Sequence, residues 1–260
     1  MTHHSVQKLI VAFFKLPFYM AFINIVRFCE SPLSLISRYV FGNGSYPIEV
    51  CIRTPLGKQK LTLYCYADML TFVECFGKQD YVAKKNVRCV VDFGSNIGIS
   101  ALYFLTRNSQ AQVYLFEPFP QNIERLSKNL EGFEKRYFFE PVAVGMKNGT
   151  AMFGCEPTGR YGGLTGGEYS GKLKIKKIHD EIEVRVREAN EILGEILGKY
   201  PEIDILKIDV EGIEEELLQS LKPELLKNIL HIYVETNWNG ELTGFKKNFY
   251  GGIARFKREK

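Results

Sequence analysis

At 260 residues, with 45% hydrophobic and 25% charged side chains, the chain has the composition of a globular protein with a real core. Its net charge of +4 is a small excess without a basic, aromatic-interleaved stripe, which excludes nucleic acid as the expected partner. Six cysteines without a C-x-x-C pair and four scattered histidines give no zinc spacing, so zinc is not expected and no metal ligand is assigned, although a pair of acids later in the chain (Asp209, Glu211) leaves a divalent cation open; the thiols read as small buried groups of a reducing, cytoplasmic compartment.

In chain order, LIVAFFKLPFYMAFINIVRF (9–28) is nearly apolar but is interrupted by Lys15, Pro17, Asn24 and Arg27. Asn24, Arg27 and Ser31 share one face at 100° per residue, which predicts two short amphipathic helices broken near Pro17 rather than a membrane span. This arm, residues 1–44, has two open readings: packing on the domain or a partner, or peripheral contact with a membrane surface through residues 9–28. Residues 45–88 form a lead-in. IEVCIRTPLGKQKLTLYCY (48–66) alternates around a Thr-Pro-Leu-Gly turn and predicts a β-hairpin, and DMLTFVECF (68–76) a short helix.

From residue 89 strands and helices alternate. CVVDF leads to GISALYFLTR, QVYLFEP to PQNIERLSKNLEGF, and YFFEPVAV follows as a strand. A glycine-rich loop (157–171) precedes EVRVREANEIL, a short strand and helix. DILKIDVEG precedes a helix punctuated by Pro223, ILHIYVET follows, and FKKNFYGGIARFKRE reads as a late strand pair. The expected fold of 89–260 is an open, mainly parallel α/β sheet flanked by helices.

Three clusters carry chemistry. VVDFGSNIGIS (90–100) places Asp92, Phe93, Gly94, Ser95, Asn96 and Gly98 at the carboxyl end of the first strand, where doubly wound sheets bind ligands. The glycines permit close backbone approach, and the following helix directs free N–H groups at the crevice. The turn reads D-x-G-x-N-x-G rather than the G-x-G-x-x-G of nicotinamide enzymes. An acid ahead of the first glycine repels a pyrophosphate and suits a cationic ligand such as S-adenosylmethionine (SAM), with its sulfonium and ammonium. Glu117 and Pro118 end the next strand. An acid there accepts ribose hydroxyls, and on its own fits NAD equally well. ILKIDVEG (205–212) sets Lys207, Asp209 and Glu211 on one face as the strand leaves the sheet, where donor and acceptor should meet. Each has a plain structural alternative: an acid capping a helix, glycines making a turn, Lys207 pairing with one carboxylate.

Taken together, VVDFGSNIGISALYF, VYLFEP, PVAVG and ILKIDVEG, in this order, resemble the FkbM-family methyltransferases over about residues 45–240. The resemblance implies a Rossmann-like, SAM-dependent enzyme that O-methylates a sugar, glycolipid or related secondary metabolite. By motif it assigns Asp92, Gly94, Asn96 and Gly98 to the methionine side of SAM, Glu117 to the ribose and PVAV, with Ala143, to the adenine border. Asp209 and Glu211 would face donor and acceptor. The family's V-E-x-H reads VETN here (234–237), so a histidine base is absent and proton removal falls to Asp209, Glu211 or solvent. EPTGRYGGLTGG (156–167), with Arg160 and Tyr161, reads as an acceptor lid or a plain surface loop. Two other function classes stay open: a non-catalytic SAM-fold protein docking through its N-terminal arm, and an NAD-dependent oxidoreductase. The acceptor is a small molecule or glycan whose identity no residue reveals.

Overall fold

The computed structural model describes residues 16–159, 161–173 and 178–259. Their packing divides the chain after Val82, whereas the boundaries read from sequence fell after residues 44 and 88.

In the first unit, helix α1 (Leu16–Phe28) is followed by α2 (Pro32–Phe41). Proline at the start of α2 supplies a preset φ, and Gly42, with φ 63°, closes it by donating its N–H to the Arg38 carbonyl at 2.9 Å. The break between the described helices therefore falls at 29–31, and Pro17 is within α1; the expected helix before Pro17 lies outside the described residues. Asn24 does not share an exposed face with Arg27. It is buried and donates from Nδ2 to the Gly77 carbonyl at 2.7 Å. The hairpin forms as expected, β1 (Ile48–Thr54) pairing antiparallel with β2 (Gly57–Leu63). Helix α3 (Tyr66–Phe72) begins two residues early, because the Asp68 carboxylate accepts the N–H groups of Tyr64 and Cys65 at its N-terminus. It continues as a π-helix over Val73–Lys78.

The second unit holds two sheets. The larger runs, in spatial order, through β12 (Phe245–Tyr250), β13 (Ile253–Arg258), β11 (Ile229–Val234), β10 (Ile203–Ile208), β3 (Cys89–Phe93), β4 (Gln112–Phe116) and β5 (Tyr137–Glu140). The pairs from β11 to β5 are parallel, and β13 is antiparallel to both its neighbours. Every residue of β3 is buried, as expected of a parallel strand covered on both faces. Helices α4 (Ile99–Leu105) and α5 (Pro120–Asn129) follow β3 and β4. Helices α7 (Glu214–Ser220) and α8 (Pro223–Leu226) connect β10 to β11. From β3 the chain winds outward through β4 and β5, then returns to β10 on β3's other side. This is a doubly wound, Rossmann-like sheet whose order reverses between β3 and β10.

The smaller sheet corrects the sequence reading. YFFEPVAV is two strands in two sheets, because Pro141 offers no N–H to continue a ladder. Residues up to Glu140 stay in the large sheet, and β6 (Ala143–Gly145) pairs with β9 (Asp180–Glu188). Strand β7 (Gly149–Cys155) pairs with β9 and with β8 (Gly162–Thr165), which occupies part of the expected glycine-rich loop. Phe119, Phe153, Leu164, Tyr169, Val184 and Ile213 belong to a core cluster of their own. Helix α6 (Ala189–Leu197) starts at Glu188, whose side chain accepts the Glu191 N–H. All six cysteines are free thiols, four of them buried. Among the described residues no helix is long and apolar enough to cross a membrane.

Candidate active site

Parallel pairing in register brings the first acid and the lysine together: Lys207 on β10 stands beside Asp92 on β3. The Lys207 ammonium donates to Asp92 Oδ1 at 2.9 Å and to the Gly94 carbonyl at 3.0 Å, and lies 3.2 Å from Asp209 Oδ2. Asp92 Oδ2 accepts from the Ser100 hydroxyl at 2.5 Å. Asp92 and Lys207 are fully buried while Asp209 is partly exposed. Burial pushes the Asp92 carboxyl up, with Lys207 and Ser100 opposing it. Burial works against the Lys207 charge, but Asp209 and Asp92 outweigh it and hold the ammonium well above the ordinary lysine value. Two carboxylates thus share one cation at the carboxyl ends of β3 and β10.

The turn answers why its backbone is bare. Gly94 has φ 81°, and a Cβ there would stand 1.8 Å from the Asp209 carbonyl oxygen. What lies against Gly94 is the neighbouring strand end. Gly98, which heads α4, packs likewise on Leu126 of α5 and on Leu130 just beyond it. Ser95 ties the turn down, its hydroxyl donating to the Asp92 carbonyl and accepting the Phe116 N–H. The Phe93 ring is in the core, edge-on to Phe116 at 5.4 Å.

Asn96, at φ 47°, donates its N–H to Glu117 Oε2 at 3.0 Å. Glu117 Oε1 accepts from the Phe119 N–H at 3.0 Å and from Asn122 Nδ2 at 3.2 Å. Burial drives the Glu117 carboxyl up to about 7, although these donors, Asn122 among them, favour its charged form. Asn122 was missed from sequence; its signal was an amide five residues beyond Glu117 in the first turns of the following helix. Ser100 was missed likewise. Asn122 Oδ1 is buried without a protein hydrogen-bond partner.

Pro118 adjoins this carboxylate, and Ala143 lies on β6 in the smaller sheet's core cluster. Glu211 adopts φ 51°, an uncommon conformation for a residue with a side chain, and precedes Gly212 at φ 101°. A Cβ on Gly163 of β8 would stand 2.4 Å from the Glu211 carbonyl. At its other end the same glycine-rich stretch is held by α5: Asn122 Nδ2 donates to the Gly159 carbonyl at 2.8 Å, and Arg125 to that of Thr158 at 3.0 Å. Arg160 lies outside the described residues. Asn237, where the family has histidine, is exposed beyond β11. Among the described residues no group of three or more His, Cys, Asp or Glu side chains is placed to hold a metal ion.

The doubly wound sheet places three acids at adjacent carboxyl strand ends, Asp92 and Glu117 buried and Asp209 partly exposed, where open α/β sheets bind their ligands. The family model described as "Methyltransferase FkbM domain" matches residues 92–254, more than half of the chain, and the chain belongs to that family. The 2-O-methyltransferase NoeI of Sinorhizobium fredii is 28% identical over 156 residues, 56% of this chain and 62% of that one. The hexuronic acid methyltransferase AglP of Haloferax volcanii is 28% identical over 145 residues, 55% of this chain and 54% of that one. The chain spans less than two thirds of the length of the curated relatives it matches. A solved FkbM methyltransferase from Methylobacillus flagellatus KT superposes with a TM-score of 0.39 at 15% identity, over 65% of this chain and 42% of that one.

Proposed function

We propose that this protein is a SAM-dependent O-methyltransferase acting on a hydroxyl of a sugar, glycolipid or related metabolite. The observation that carries the reading is the set of three carboxylates at adjacent strand ends: Asp92 and Asp209 sharing Lys207, and Glu117 buried on backbone donors. The residues present fit the cofactor. Glu117 is a buried carboxylate whose hydrogen-bond donors among the described residues are the Asn96 and Phe119 N–H groups and the Asn122 amide, suited to accepting ribose hydroxyls. The buried Asn122 Oδ1 beside it has acceptor capacity left over.

SAM supplies an electrophilic methyl group on a sulfonium. Glu117 would orient the ribose, with Asn122 and the Asn96 N–H holding the carboxylate in place. Asp92 and Lys207, locked on each other and on Ser100, would position the turn 94–98 and supply the field facing the donor's charged end. Asp209, partly exposed at the end of β10, would accept the acceptor hydroxyl's proton, its carboxylate steadied by Lys207. Glu211 stands next along the chain and would bind the acceptor. Placing the acceptor oxygen in line supplies much of the acceleration in such a transfer. NoeI and AglP, by their names an O-methyltransferase and a hexuronic acid methyltransferase, support a sugar-like acceptor.

Thermal unfolding with SAM, S-adenosylhomocysteine and NAD tests the cofactor. A ligand at a hundred times its Kd stabilises by about 2.7 kcal/mol, a rise of several degrees for SAM and its product and none for NAD. No rise with SAM would favour a non-catalytic SAM-fold protein. Asp209→Asn is expected to keep the SAM-induced rise while kcat falls about 100-fold or more, measured by S-adenosylhomocysteine release with sugar acceptors. Near wild-type kcat would remove Asp209 from the role of base.

A further inference from the structure

Helix α1 carries its apolar side chains on the outside. Ala21, Asn24 and Ile25 face inward, and the one polar residue among them satisfies the Gly77 carbonyl. Leu16, Tyr19, Phe22, Ile23 and Val26 face solvent at 64%, 56%, 42%, 38% and 49% exposure. At 100° per residue these five fall within an arc of about 120°, with exposed Arg27 at its edge. Leu33 and Phe41 of α2 are also strongly exposed. A continuous apolar stripe of this kind on a surface helix marks an interaction face.

Charge selects the occupant. The first 29 residues contain no Asp or Glu, but they contain Lys8, Lys15 and Arg27. An apolar, aromatic-bearing face with Arg27 at its edge, in an N-terminal sequence that carries cations and no acid, matches an anionic lipid surface, where rings and aliphatic groups enter the headgroup boundary and cations meet lipid phosphates. A second copy of the chain fits less well. A two-fold contact would set this face on itself, Arg27 opposing its own kind with no acid on the stripe to complement it. We propose that the outward face of α1 docks this protein onto anionic membrane surfaces. The proposal is independent of the methyl-transfer reading.

Co-sedimentation of the full chain tests it, with vesicles of phosphatidylglycerol and phosphatidylcholine in equal parts against phosphatidylcholine alone. Binding to the anionic vesicles is expected to be about tenfold stronger and to weaken with salt, each basic side chain near such a surface contributing roughly fivefold. Tyr19→Asp/Val26→Asp, both exposed, should abolish binding while leaving the melting temperature unchanged; Phe22→Ser/Ile23→Ser is the milder pair should the first prove unstable. Leu56→Asp, on the exposed hairpin turn, should bind as wild type. The proposal is overturned if the wild-type chain stays in the supernatant with both vesicles, or if Leu56→Asp loses as much binding as the α1 variants. It is overturned equally if sedimentation velocity shows a dimer that Val26→Asp dissociates, which would assign the face to a second copy.

Discussion

Replacing Lys207 by methionine is expected to cost about 3–5 kcal/mol of folding free energy, the usual penalty for leaving a buried charge without its partner. Asp92 has no exposed surface, and Lys207 is the cation within its reach. In urea unfolding the midpoint should fall without a large change in slope. The double variant Lys207→Met/Asp92→Asn should recover part of the loss, because the uncompensated carboxylate is then gone. A single variant within about 1 kcal/mol of wild type would mean that Asp92 is held neutral by its surroundings, and the shared-cation arrangement would fall. Methyl transfer should be lost in both variants, since Lys207 also anchors the Gly94 carbonyl and faces Asp209.

Glu117→Gln is expected to weaken SAM binding about 100-fold or more, since two hydrogen bonds to a charged acceptor are each worth about 1.5–3 kcal/mol. The effect should depend on pH with a defined sign. Burial raises the Glu117 carboxyl from 4.5 to about 7 in the free protein. Below 4.5 the proton is on in both folded and unfolded chains. Between 4.5 and 7 the unfolded chain loses it first, so this group's contribution to stability declines as pH rises and is gone above 7. That decline amounts to about 3 kcal/mol. Ribose hydroxyls favour the charged form, so wild-type affinity should tighten from pH 6 to 8 and level off. Titration calorimetry across that range reads both effects. A wild-type profile as flat as that of Glu117→Gln would take Glu117 out of the ribose role.

The alternation of strands and helices was legible from residue 89 onward because parallel strands are short apolar runs and their connecting helices carry a different period. That Asp92, Glu117 and Asp209 come at strand ends was legible for the same reason, since each closes such a run. The smaller sheet was not. GTAMFGC and GGLT are rich in glycine and small residues, and their strand character comes from pairing with β9 rather than from their own pattern. The strand change at Pro141 was marked by a proline, yet PVAV reads as a continuation because both halves are apolar. The partners of the acids were hidden too. Ser100 and Asn122 lie eight and five residues beyond the acids they meet, in the helices that follow, and neither residue type marks itself as a partner; the Asp204 carboxylate, which accepts the N–H groups of Arg88 and Cys89, acts across a separation that only tertiary packing closes. In α1 the polarity pattern was visible, but which side faced inward was decided by the lone Gly77 carbonyl.

The contact between Gly94 and the Asp209 carbonyl also limits how such an enzyme can be retargeted. Asp209 donates its own N–H to the Phe93 carbonyl at 3.1 Å, so the two strand ends are stitched in both directions. A side chain at 94, or a shift of 209 to suit a bulkier acceptor, would displace the turn 94–98 along with Asp209, the base proposed above. For the reaction proposed above, new acceptor specificity is expected instead from Lys172, Leu173 and the β8 edge, which pack beside Gly212 and Glu211. A library confined to those positions should yield variants with altered acceptors and unaltered SAM affinity, whereas one spread over 92–98 and 207–209 should yield mostly inactive chains.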